Sequence, residues 1–292
     1  MPTTPHTANQ PILVTGATGK TGSRVLSRLE ALGHAVRPGS RQAEVPFDWD
    51  DPRTWDAALA GCSAAYLCYF PDLSVPQAPA TLAAFAETAA QHNLQRMVLL
   101  SGRGEPEAQK AEQLLLDAGQ RHHLDVTVVR ASWFAQNFTE GIFVDDIRSR
   151  RVAFPVALHD TEVAEPFIDI DDIAAVAVAA LTQPGHAGEV YDVTGPRLLT
   201  LPQAVGAIAE ALGEPIRYTP ITPDQFAAGL AEQGVPEDFI ELLNFLFNEL
   251  LDGRNAHLSD GVQRALGRPP RDFMAFAQAA AKTDVWNTPQ PA

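Results

Sequence analysis

Over its first half the chain alternates short, wholly apolar runs with longer segments in which apolar residues recur every three or four positions. Runs of four to six apolar residues suit strands covered on both faces, and the segments between them carry the period of an amphipathic helix. Such alternation predicts βαβ units feeding a parallel sheet, so the fold class read from residues 11–155 is α/β, a doubly wound Rossmann-type sheet. Ile12-Leu13-Val14 reads as the first strand, Lys20 to Leu32 as a helix closed by Gly33, and His34 to Arg37 as the second strand. A third strand is expected just before Phe47. Thr54 to Leu59 reads as a short helix, Ala64 to Tyr69 as strand and Pro79 to Gln91 as helix. Met97 to Leu100 as strand, Glu107 to Gly119 as helix and Val126 to Val129 as strand complete the series.

Beyond Phe154 the pattern changes. Prolines at 155, 166, 184, 196, 202, 215, 220, 223 and 236 punctuate helical segments such as Ile173 to Leu181 and Leu201 to Leu212. The reading is a flexible tail over 1–10, a dinucleotide-binding domain over 11–155, and a smaller, mostly helical portion over 156–292. Pro236 to Leu251 is apolar on more than one helical face: either it is buried on both sides, or part of it meets a protein partner or a second copy of the chain.

Composition narrows the function. With 292 residues and 46% apolar content the chain can bury a continuous core, and a formal charge of −15 argues against direct binding of nucleic acid. No apolar run reaches the roughly 18 to 20 residues of a membrane span. The first ten residues lack the cationic start and apolar stretch of a secretory signal. Cys62 and Cys68 read as reduced core thiols, and the expected location is the cytoplasm.

The most specific chemistry is Gly16-Ala17-Thr18-Gly19-Lys20-Thr21-Gly22. Three glycines that follow a strand and open a helix let backbone amides approach a pyrophosphate while the helix dipole favours its charge. Gly19-Lys20-Thr21 also resembles the end of a nucleotide triphosphatase loop, but the first glycine of that motif would fall at Val14, inside the strand. An NAD-selective site wants an acidic residue at the end of the second strand, and none stands there. Val36-Arg37-Pro38-Gly39-Ser40-Arg41 offers two guanidinium groups and a hydroxyl instead, which match a 2′-phosphate and favour NADP(H) over NAD(H). The plainer alternative is that both arginines are solvated loop charges. Asp48 can accept from an adenine amine and Trp49 can stack on the ring, while Asp50 or Asp51 suits a helix cap.

Taken together, Gly16-Ala17-Thr18-Gly19, Asp48 to Pro52, Val98 to Gly102, Val129 to Phe138 and Ile168 to Ala174 make the chain resemble the NmrA-like branch of the atypical short-chain dehydrogenases/reductases, nearest to quinone-oxidoreductase-like and festuclavine-dehydrogenase-like members. The resemblance spans nearly the whole chain. It implies an NAD(P)H-dependent oxidoreductase in which glycines 16, 19 and 22, with Thr18, Lys20 and Thr21, hold the pyrophosphate, Arg37, Ser40 and Arg41 the adenosine phosphate, and Asp48 and Trp49 the adenine. Tyr69, Phe70, Ser101, Ser132 and Trp133 then line the nicotinamide end, and Phe134, Asn137 and Phe138 the pocket of a small-molecule substrate.

The family's dehydrogenases generally pair a Tyr with a Lys four residues later, which lowers the phenol's pKa. The three lysines of this chain have Gly16, Pro106 and Gln278 at that offset, so the pair is absent. Matching Glu112 and Ala118-Gly119 to the family places Ala108 where the Lys would stand, with Lys110 on another, exposed face. Acceptors that need little proton help, such as an iminium, a quinone or an enone, fit best. Ser101, Tyr69 and Asn137 are the weak donors or orienters, each with an ordinary role as cap, core aromatic or turn residue as its alternative. Asp169, Asp171 and Asp172 read as the head of a helix rather than as catalysts. Leu99 to Arg103 lacks the glycine of a nucleophile elbow, and adjacent His122 and His123 cannot share a metal, so no metal is expected. The residues from 251 to 270 read as a lid or as a packing motif. Two functions stand: an NADPH-dependent reductase, or a silent NADP(H)-binding redox sensor acting through a protein partner.

Overall fold

In the computed structural model residues 10–141, 143–155 and 163–287 are described, so residues 1–9 of the expected tail lie outside them. In chain order the strands are β1 (Ile12–Thr15), β2 (Val36–Gly39), β3 (Ala64–Leu67), β4 (Arg96–Gly102), β5 (Asp125–Ala131), β6 (Arg151–Pro155), β7 (Ala164–Glu165), β8 (Val190–Val193), β9 (Leu199–Thr200) and β10 (Arg217–Ile221). The helices are α1 (Lys20–Ala31), α2 (Trp55–Leu59), α3 (Ala78–Gln91), α4 (Pro106–His122), α5 (Asn137–Glu140), α6 (Val144–Arg148), α7 (Ile170–Thr182), α8 (Leu201–Leu212), α9 (Pro223–Glu232), α10 (Glu237–Asn244), α11 (Gly261–Leu266) and α12 (Phe273–Ala280).

Two compact units emerge. Among the described residues the first comprises 10–131, 170–193 and 260–268, the second 132–141, 143–155, 163–169, 194–259 and 269–287. The single boundary expected at 155 is therefore replaced by a chain that leaves the first unit at Ala131 and returns to it twice.

The first unit is a six-stranded parallel sheet ordered β2-β1-β3-β4-β5-β8. Alternation along its strands sends Leu13, Ala65, Leu67, Met97 and Leu99 into one core cluster with α2, α3 and α4, while α1 and α7 pack on the other face. The strand order reverses between β1 and β3, which opens a crevice at the carboxyl ends of those strands. Two expectations need correction. No strand forms before Phe47: the Phe47 N–H donates to the Ser40 carbonyl at 3.0 Å, closing a loop, and the Phe47 ring docks in the core. The sixth strand is β8, drawn from the part read as mostly helical; its Tyr191 and Val193 are buried, and β5 supplies its ladder.

The acidic cluster at the head of α7 is structural. In the first unit Asp171 meets Arg28 at 3.1 Å, and the fully buried Asp172 meets Arg268 at 2.7 Å. In the second, Asp169 accepts from the Gln136 amide at 2.7 Å and pairs with Arg271 at 3.0 Å. Residues 260–268 pack rather than swing: a Cβ on Gly261 would meet the Asp192 carbonyl oxygen at 2.2 Å, so α11 lies directly on β8.

The second unit gathers around aromatic residues, including Phe138, Phe143, Phe154, Phe167, Phe247 and Phe273. Trp286 is fully buried, and its indole N–H donates to the Phe138 carbonyl at 2.7 Å. Between 236 and 251, α10 passes into a π-helical turn over Phe245–Glu249. Leu243, Phe247, Leu250 and Leu251 are buried, Ile240, Leu242, Phe245 and Leu246 are half-buried and Phe239 is exposed, so one apolar face of this segment is covered within the unit. No described helix is long and apolar enough to cross a membrane.

Candidate functional site

The glycine segment of the first unit is shaped by two close approaches. Gly16 leaves β1 with φ +62°, a conformation that disfavours side chains, and its α-carbon faces Cys68, whose Cβ and Sγ would stand 3.3 and 3.4 Å from an added Cβ. A Cβ on Gly22 would fall 2.2 Å from the Gly16 carbonyl oxygen, so the first turn of α1 can press on the loop only with glycine there. Gly19 caps α1 without a side chain, and the first turn carries no acidic residue, which leaves the helix start electropositive. Thr18 and Gly19 are exposed; Thr21 is buried with its hydroxyl toward Cys68 Sγ. Beneath the loop the Thr15 hydroxyl donates to the Tyr66 carbonyl at 3.1 Å and accepts from the Cys68 N–H at 2.8 Å, stapling β1 to β3. A narrow glycine loop ending on an uncapped helix start fits the pyrophosphate of a dinucleotide.

The adenosine end differs from the sequence reading in two residues. Arg37 is a capping residue: its Nη1 donates to the carbonyls of Ala58 at 2.8 Å and Ala60 at 2.7 Å, satisfying the end of α2. Trp49 is core: its indole N–H donates to the Cys68 carbonyl at 2.9 Å, and its ring packs against Phe47, Trp55, Tyr69 and Phe85, leaving no face for a base. Asp48 folds back on the chain, its carboxylate accepting from the Asp50 N–H, while Asp51 caps the short 3-10 turn before α2. Ser40 is half-buried and holds the loop through its carbonyl. Arg41 remains exposed, its guanidinium 5.9 Å from the ring centroid of Phe70, which is 65% exposed.

At the carboxyl ends of β3 and β4, Tyr69 is buried against Trp49, and burial pushes its phenol up, which makes it a poor acid. The buried Ser101 hydroxyl donates to Glu112 Oε1 at 2.6 Å; Glu112 also takes the Arg130 guanidinium on both oxygens. That network ties β4, α4 and β5 together, so Ser101 is corrected from donor to structural partner. Ala108 is buried, and Lys110 is exposed and paired with Glu107 at 2.5 Å.

A second carboxyl group, missed in the sequence, sits beside this network. Gly102 and Gly104, the latter with φ +75°, turn the chain so that the Glu105 carboxyl lies over the Gly102 α-carbon; an added Cβ there would meet Oε1 at 2.0 Å. Glu105 is buried and hydrogen-bonded to Asp72, from the loop after β3. Burial, then the Asp72 charge and hydrogen bond, then the Glu112 charge push its carboxyl up to about 9. No spacing rule marks Glu105, because what matters is the bare α-carbon three residues earlier.

The second unit holds a pocket of about 590 Å³, counted out to its open mouth, walled by Trp133, Phe138, Phe143, Phe154, Tyr218 and Phe247, with Asn137 and the buried Glu165 among its polar groups. Trp133 and Phe247 stack with centroids 4.9 Å apart, the π-helical turn presenting Phe247. Of the expected pocket residues, Asn137 and Phe138 line it, Phe134 does not, and Trp133 belongs here; the Ser132 hydroxyl is held by the Pro166 carbonyl at 2.5 Å. Among the described residues no three His, Cys, Asp or Glu side chains gather as a metal site.

No protein-family model matches the chain. It is 31% identical over 287 residues to an NAD(P)H azoreductase of Xenophilus azovorans, covering 92% of this chain and 98% of the relative. It is 30% identical over 296 residues to an agroclavine dehydrogenase of Claviceps fusiformis, covering 94% and 98%. Its fold matches the crystal structure of the Citrobacter sp. triphenylmethane reductase complexed with NADP(H), with TM-score 0.77 and 18% identity over 93% of this chain and 99% of that one. A Rossmann-type sheet with this glycine cradle, together with relatives of this kind, defines an NAD(P)H-dependent oxidoreductase. The chain belongs to the NmrA-like branch of the atypical short-chain dehydrogenases/reductases.

Proposed function

We propose that the protein is an NADPH-preferring reductase of flat, electron-poor acceptors: azo compounds, quinones, enones or iminium ions. The aromatic pocket of the second unit carries this reading. Its stacked Trp133 and Phe247, flanked by Phe138, Phe143 and Phe154, offer the π-faces and apolar area that a conjugated ring system selects. The names of two relatives point to an azo compound and to agroclavine as what those proteins act on, and that of the structural neighbour to a triphenylmethane, a molecule with three aromatic rings.

In this reading glycines 16, 19 and 22 and the start of α1 hold the pyrophosphate, and Arg41 takes the 2′-phosphate, with Phe70 beneath its guanidinium. The bound nicotinamide supplies a hydride. The protein's own part is to orient the acceptor on Trp133 and Phe247 and to exclude water from it.

Steady-state rates with NADPH and NADH against a panel of azo dyes, quinones, enones and cyclic iminium ions test the proposal. Turnover that favours NADPH, with a Trp133→Ala variant raising KM about 10-fold or more for the best acceptor, is expected. Tight NADPH binding with no turnover anywhere on the panel would replace the reductase by a redox sensor.

A further inference from the structure

The pocket of the second unit is walled mainly by aromatic and aliphatic side chains, with a single carboxyl group among them. Of the described residues that line it, only Glu165 is acidic, and none is Lys, Arg or His. Resting on the reductase reading above, we propose that this pocket selects flat organic cations, such as iminium ions and cationic dyes, over uncharged acceptors of the same shape, and that Glu165 sets the preference.

Three observations support this. First, the place of Glu165 is built into the backbone. β7 and β9 pair antiparallel with Glu165 opposite Leu199, and both residues line the pocket. The next carbonyl, that of Pro166, accepts from the Ser132 hydroxyl at 2.5 Å and from the Gly195 N–H at 3.0 Å. A Cβ on Gly195 would stand 2.1 Å from the Phe167 carbonyl oxygen, so the two segments close on each other only with glycine there. The Ile168 N–H then donates to the Trp133 carbonyl at 2.9 Å, which ties the segment carrying the carboxyl to the segment carrying the indole. Second, Glu165 is 2% exposed, and both its carboxyl oxygens are withdrawn from solvent. A carboxylate so placed acts on a ligand across apolar side chains, with little of the screening that water provides. Third, the rings favour the same sign of charge. Trp133 and Phe247 stack with centroids 4.9 Å apart, Phe138 and Phe143 stack at 5.4 Å, and Phe154 meets Phe247 at 5.0 Å. The negative faces of such rings attract a cation that has shed its water. An uncharged acceptor gains the stacking and the apolar burial but neither electrostatic contribution.

A cationic acceptor also suits a chain without the Tyr-Lys pair. When an iminium carbon gains a hydride, a C–H bond forms, the C=N π electrons become the lone pair of an uncharged amine, and no proton is transferred.

Equilibrium dialysis of the full-length chain against the 1-methylquinolinium ion and 4-methylquinoline tests the preference, at a mildly alkaline pH that leaves the second probe uncharged. The two probes have the same ring system and the same number of heavy atoms. Salt at about 0.5 M screens the long-range pull of the chain's −15 charge and leaves the local attraction. The wild type should bind the cation about 10-fold more tightly than the neutral probe. Glu165→Gln keeps the shape of the side chain and removes its charge, and should lower that ratio about 10-fold. Trp133→Ala should weaken both probes, since both stack. No binding of the cation, a wild-type preference under about three-fold, or a ratio within about three-fold of wild type in Glu165→Gln would each overturn the proposal; the first two need no variant to fold. Cation preference without turnover of any acceptor removes the reductase reading and leaves the preference of the pocket standing. Turnover of neutral acceptors with no cation preference does the reverse.

Discussion

The carbonyl oxygen of Gly16 and the α-carbon of Gly22 approach so closely that a Cβ at residue 22 would lie 2.2 Å from that oxygen. The obstacle is backbone on both sides, so no side chain can yield. Gly22→Ala is therefore expected to push α1 away from the loop, cost about 1–3 kcal/mol of stability and weaken dinucleotide binding about 10-fold or more. Urea unfolding and a fluorescence titration with NADPH measure the two effects.

Arg37 and Arg41 look alike in the sequence and should behave in opposite ways. Arg41→Ala should weaken NADPH about 10- to 100-fold and leave NADH within about two-fold, the loss of charge-assisted bonds to one phosphate. Arg37→Ala should weaken both cofactors alike and lower stability by about 1–3 kcal/mol, because the carbonyls of Ala58 and Ala60 at the end of α2 lose their donor. Dissociation constants for both cofactors, with unfolding curves for both variants, separate the roles.

The Ser101-Glu112-Arg130 network predicts a stability effect without a change in acceptor preference. Glu112→Gln leaves the half-buried Arg130 guanidinium without its counter-charge and should cost on the order of 3 kcal/mol. The order of acceptors by kcat/KM should stay the same; a reordered panel would show that the network touches the acceptor.

Glu105 links stability to pH. Its ordinary value of 4.5 is raised to about 9 in the fold, so between those values the folded chain holds a proton that the unfolded chain has lost. Its contribution is complete below the lower value and is lost as pH rises through the upper one. The melting temperature of the wild type should therefore fall between about pH 5 and 9 relative to that of Glu105→Gln, which carries no titrating group there. Parallel melting curves across that range would show that Glu105 ionises as an ordinary carboxylate.

What the sequence determined was everything local. Strands β1, β3, β4 and β5 and helices α1, α3 and α4 stand within a few residues of their expected places, because short apolar runs and a helical period are properties of neighbouring residues. The glycine cradle was legible for the same reason: strand, glycines and helix start are contiguous. Tertiary structure decided which polar groups were already committed. Arg37 and Arg41 are four residues apart, yet only packing against α2 shows that the first is a cap. Trp49 looked like a stacking platform until Cys68 took its N–H. Ser101 looked like a donor until Glu112, eleven residues on, accepted its hydrogen bond. The sixth strand and the division into two units also depend on long-range pairing, since Val190 to Val193 become a strand only beside β5. Glu105 is the extreme case: its proton depends on burial, on an anion from another loop and on the missing side chain of Gly102, none of which a linear pattern contains.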